Sequence, residues 1–227
     1  MENLENLKKI AEQHANLAAM EKQTAINLRE LSKLTLKRSQ AREKFFKKEL
    51  EMAKIRREMA ESTKNYVKMK QQLREIGASE VTDEDIKREK NNAEYNDKMA
   101  KNQIELADIN TKIVRLEQEI AKEKGDLARE QQNVAMTRET LAKKQTAYIK
   151  TVNDQQIPER VLAAEKEYTK VQKQLVEDKK AKLKQENKVK ERENKLADLR
   201  KEYSAILSER EKIRHADIAI VESISAA

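Results

Sequence analysis

Two glycines and one proline punctuate 227 residues. Tight turns need both residue types for their special backbone positions, so a chain this poor in them cannot make many turns. That excludes sandwiches, barrels and doubly wound α/β folds. Ala, Glu, Lys, Leu and Arg make up more than half of the chain, the usual bias of long helices and coiled coils. Disorder is the rival reading. Yet 49 basic residues face 41 acidic ones, for a net charge of only +8, so the charges are mixed and repel weakly.

The few breakers fall at the thirds of the chain. In "REIGASEVTDED", Gly77 suits the residue just past a helix, and Thr82 with Asp85 forms a capping-box pattern. In "TVNDQQIPER", Asn153 and Asp154 are poor helix-interior residues, and Pro158 is tolerated only in a first turn. The expected fold is therefore all-α, with helices at about 3–76, 83–152 and 157–222 forming a single elongated helical domain over 1–227. Gly125, in "KEKGDL", is a third weak point that a strong helical pattern can absorb. Three matched helices can fold back into an antiparallel bundle, which is the arrangement expected. The alternative is one extended coiled coil with local kinks.

Sevenfold spacing supports coiled-coil pairing. Leu106, Ile113, Ile120, Leu127, Val134, Leu141 and Tyr148 form one row, with Ala121, Ala128, Ala135 and Ala142 beside it. The Ala row lets another helix approach closely. Ile109 and Leu116 begin a further row that turns polar at Glu123 and Glu130. The third segment has two rows. One runs Val161, Tyr168, Leu175, Lys182, Val189, Leu196, Tyr203. The other runs Val171, Asp178, Gln185, Arg192, Leu199, Ile206, Ile213, Ile220. In the first segment the expected seam is looser and made mostly of large apolar residues. It runs through Leu4, Leu7, Ile10, His14, Leu17, Leu28, Leu31 and Leu34, followed by Phe45, Met52, Ile55, Met59, Tyr66, Met69, Leu73 and Ile76. Arg38 and Lys48 interrupt this seam, while Asp178, Lys182, Gln185 and Arg192 interrupt the third. Polar seam residues cost stability but fix register.

Charge offers a second clue. Residues 33–57 carry ten basic groups against three Glu, and residues 170–195 carry ten against five acidic groups. Folded back, the two runs could form one positive belt that attracts phosphates of lipid or nucleic acid. In a chain that is 40% charged, such a run is usually just a solvated face. Sequence-specific nucleic-acid binding is disfavoured: no Cys/His finger is present, aromatics are few, and "QAREKFFKKEL" lacks a basic-zipper reading pattern.

No enzyme is expected, and no cofactor or metal site. The two glycines form no phosphate-cradling loop. His14 reads as a half-packed seam residue and His215 as a surface residue, and two distant histidines make no metal centre. Carboxylates alternate with Lys at the spacing that helix solubility alone explains. The charged opening "MENLENLKKIAEQ" does not read as a signal peptide. Absence of cysteine fits a reducing compartment, so a cytoplasmic location is expected.

The stretch "IPERVLAAEKEYTKVQKQLVEDKKAKLKQENK" through "YSAILSEREKIRHADIAIVESI" resembles the last helix of BAR-domain proteins, including the eisosome type. The resemblance covers about a third of the chain. It implies three long helices and a positive face laid on an anionic membrane surface, with the protein peripheral to that membrane. It would make Arg38, Arg42, Lys44, Lys47 and Lys48, with Lys179, Lys180, Lys182, Lys184 and Lys188, the lipid-facing groups. The residue patterns themselves point first to a structural coiled coil. Such a protein would self-associate into a scaffold, filament or spacer, as a homo-oligomer or with other coiled-coil proteins.

Overall fold

The computed structural model describes residues 2–77, 82–154 and 157–225, with side chains from residue 4 to residue 219. It contains three helices among the described residues: α1 (Glu2–Glu75), α2 (Asp83–Asn153) and α3 (Pro158–Ser225). Their bounds agree with the breakers within three residues. Gly77 follows α1 with φ +71°, a left-handed conformation that costs glycine nothing. Thr82 and Asp85 do form a reciprocal cap. The Asp85 backbone N–H donates to Thr82 Oγ1 at 3.2 Å, and the Thr82 hydroxyl donates to Asp85 Oδ2 at 2.7 Å. The bonds that the Thr82 hydroxyl and then the Thr82 backbone N–H donate to the Asp85 carboxyl hold it below its usual range. Pro158 opens α3, where its missing N–H is not needed. Residues 78–81 and 155–156 of the two breaks, and the Ile220 side chain, lie outside the described residues.

Helix α2 packs against both α1 and α3, antiparallel to each. Contacts divide the chain into two compact units. One comprises Met1–Arg38 with Glu117–Asn194, and the other Ser39–Leu116 with Lys195–Ala227. Each unit therefore contains part of every helix.

In the first unit, α1 turns a row of small residues toward α2: Ala11, Ala18, Ala25 and Ser32 are all buried. The facing α2 row, Ala121, Ala128, Ala135 and Ala142, is buried too. The two backbones come close enough for side chains of one helix to bond the main chain of the other. Ser32 Oγ donates to the Ala121 carbonyl at 2.5 Å, and Gln145 Nε2 donates to the Leu7 carbonyl at 2.9 Å. A Cβ on Gly125 would lie 3.2 Å from Ser32 Oγ, so glycine suits this close approach, and α2 continues unbroken through it. Toward α3, the same helix presents its large residues. Val134, Leu141 and Leu175 form a core with Tyr168 and Val171 packed on it, and the Tyr148 and Tyr168 rings stack at 6.2 Å.

The second unit repeats the scheme. Ala53, Ala60 and Val67 of α1 are buried, as are Ala93, Ala100, Ala107 and Val114 of α2. Ion pairs tie the edges of this pairing, with Lys64 at 2.8 Å from Asp97 and Lys70 at 2.7 Å from Glu89. Asn102 Nδ2 of α2 donates to the Ile206 carbonyl of α3 at 3.2 Å.

The first-segment seam needs correction. Small residues of α1, not its large ones, face α2. Ile10, Leu17, Leu31, Leu34, Phe45, Met52 and most of the remaining large residues in that row are exposed. An Ala row admits a helix at short range, and bulky side chains there would hold the backbones apart.

Candidate interaction surfaces

Three of the four polar interruptions of the third seam find partners on α2, and the fourth, Lys182, pairs with Glu186 of its own helix. Thr137 Oγ1 donates to Asp178 at 2.6 Å, and Gln185 Nε2 donates to the Glu123 carboxylate at 2.6 Å and its backbone carbonyl at 3.1 Å. Arg192 bonds Glu119 and pairs with Glu123. Across the other face, Arg138 makes a two-bond pair with Glu21, both at 2.9 Å, with the two side chains only 10% and 19% exposed. These groups are satisfied in one register, since a slip of one turn would separate them. They act as alignment marks along the seams.

His14 sits beside the Arg138–Glu21 pair. Its Nδ1 is buried and finds no hydrogen-bond partner among the described residues. Burial, then the positive charges of Arg138 and Lys179, hold the imidazole below its ordinary value of 6.5, against a smaller opposing effect of Glu21. The fold therefore prefers neutral His14. As pH falls below about 6.5 the unfolded chain takes up the proton more readily, and stability is lost through that window. His14→Leu is expected to flatten the dependence. Urea midpoints measured for both proteins near neutrality and near pH 5.5 check this. Asp97, held low by Lys64 and then Lys101, contributes stability that is lost only as pH falls below its ordinary 3.8, a separate window.

The ten basic residues singled out from the sequence are distributed over both units. Arg38 lies in the first unit with Lys179, Lys180, Lys182, Lys184 and Lys188. Arg42, Lys44, Lys47 and Lys48 lie in the second. Several are occupied. Lys47 pairs with Glu43 at 3.3 Å, Lys180 with Glu177 at 2.8 Å and Lys182 with Glu186 at 3.5 Å. The Arg42 guanidinium lies 5.5 Å from the Phe46 ring centre. Arg38, Lys44, Lys48, Lys184 and Lys188 are exposed and make no ion pair among the described residues. Within the first unit Arg38 stands apart along the helix axis from Lys179 and Lys180 of α3. Ser32 bonds α2 at the level where α2 meets residues 185–192 of α3. Arg38 lies about 9 Å beyond that level, away from Lys179 and Lys180.

A surface that the sequence reading missed is the outer side of α1. In the second unit, Phe45, Met52, Met59, Tyr66 and Leu73 recur every seven residues. Ile55, Met69 and Ile76 take the position three residues later. All eight are exposed, from 43% at Leu73 to 74% at Ile76. These rows step about 100° and 160° round the helix from the Ala row, so they turn away from α2. The first unit shows the same pattern at Ile10, Leu17, Met20, Leu31 and Leu34. By contrast, α2 exposes one large apolar side chain among its described residues, Met136. The signal was available: α1 carries two sevenfold rows, and only one can face α2.

Grooves along the second unit are open. One, of about 460 Å³, is lined by Met52, Ile55, Met59 and Asn96 among others. No group of three or more metal-binding side chains occurs among the described residues, and no helix there is long and apolar enough to cross a membrane. Compared with known families and with the curated proteins, the chain matches no family model and no curated protein.

Proposed function

We propose that this protein is a non-enzymatic helical scaffold, filament subunit or spacer that works by self-association. One observation carries the reading: large apolar side chains at coiled-coil spacing stay in water along α1. A helix needs such a row only to meet another helix, and a contiguous exposed apolar patch usually marks an interface. Symmetric homo-oligomers are the commonest outcome. The tightly aligned seams support a structural role, because they give the surface a fixed geometry.

Sedimentation velocity across the micromolar range is the test. A mass above 26.4 kDa that rises with concentration is expected. A monomer throughout would overturn the proposal.

The unpaired Lys44, Lys48, Lys184 and Lys188 favour a second reading, a BAR-like binder of anionic membranes. Sedimentation with anionic liposomes at low and moderate salt separates the two. Binding that charge reversal within 33–57 abolishes would support the membrane reading, and no binding at low salt would remove it.

A further inference from the structure

We infer that the outer seam of α1 between Phe45 and Ile76 is a self-recognition surface that takes the same segment of a second copy, running antiparallel. This rests on the self-association reading and specifies where and how the copies meet. Spacing of three and four residues is the pattern by which one helix packs knobs into the holes of another, so the occupant is a helix. The size fits a dimer. Eight side chains, each leaving on the order of 100 Å² in water, supply roughly 800 Å² per copy, which is half of a standard stable interface.

The segment is complementary to itself when the twofold axis lies between Ala60 and Glu61. Phe45 then meets Ile76 of the second copy, Met52 meets Met69, and Ile55 meets Tyr66. Near the axis, Met59 meets the small Ser62. Lys48, the one charge within the seam, lies beside Leu73, where its aliphatic stem can pack and its ammonium can reach water. A parallel pair in register would instead set Lys48 against Lys48 inside the seam, a like-charge contact in a partly dry place. The groove beside Met52, Ile55 and Met59 leaves room for the incoming side chains.

The chain has no cysteine, so engineered thiols report the geometry directly. Met52→Cys and Met69→Cys variants are made separately, mixed and oxidised in air. A disulfide-linked dimer is expected from the mixture and not from either variant alone. Met59→Lys is expected to leave helicity unchanged, since Met59 is 66% exposed. It should convert the dimer to monomer at concentrations where the unmodified chain is dimeric. Cross-linking of Met52→Cys with itself, or no cross-link in the mixture, would overturn the antiparallel seam. A Met59→Lys protein that keeps its dimer would do the same while leaving self-association standing. An unmodified chain that is monomeric throughout would sink both.

Discussion

Arg138→Ala is expected to destabilise the protein by about 3 to 5 kcal/mol, the range for removing one member of a buried ion pair. The guanidinium makes two 2.9 Å bonds to Glu21 and is nearly out of water. Removing it strands the Glu21 carboxylate against the small-residue interface with no partner. The pair itself is worth far less than its loss costs, because both charges gave up hydration to form it. The double replacement Glu21→Leu with Arg138→Leu should therefore recover most of the stability. Urea unfolding followed by far-ultraviolet circular dichroism measures both variants. If the single variant costs under about 1 kcal/mol, the pair is solvated and its role in alignment fails.

The second large effect concerns the Ala rows. Ala25 and Ala128 are buried at 4% and 2% exposure and lie at the same level, about two turns from the Ser32–Ala121 bond. Leucine at both positions puts two branched side chains into one layer that has no space for them. Overpacking costs about 1 to 3 kcal/mol per site, so the pair should cost on the order of 4 kcal/mol. The α1–α2 pairing should loosen first. Hydrogen exchange is expected to quicken along residues 11–32 of α1 and 121–142 of α2, with Leu175 and its α3 neighbours keeping more protection. Equal loosening of all three helices would mean that the Ala rows do not set the spacing.

The sequence shows the three-helix architecture plainly, because glycine, proline and capping residues act locally. Thr82, Asp85, Gly77 and Pro158 do in the fold what their chemistry dictates. The seams of α2 and α3 were equally legible, since large apolar residues mark the rows that pack α2 on α3 and an uninterrupted Ala row marks the other side of α2. Helix α1 misleads, because its buried positions are small and its large residues face outward. Ranking residues by hydrophobicity selects the wrong row whenever close backbone approach, and not side-chain volume, builds the interface. Self-association was expected from the apolar stripes, but the surface that would carry it was hidden by the same error. The basic residues were easy to find, and their placement was not: whether Lys180 is free depends on Glu177, three residues away, and whether Arg38 meets Lys188 depends on helix register.

Helix α2 has two unlike sides, one lined with alanines and one with leucine, isoleucine and valine. Its neighbours therefore cannot trade places. If α3 lay on the alanine side, Leu175 and Val189 would collide with it, and α1 on the other side would leave hollows where its alanines fall short. A meander of three helices can turn back in two mirror-related ways, and most bundles with uniform cores must choose between them by loop length. Here the middle helix makes the choice itself, like a plug whose two pins differ in width.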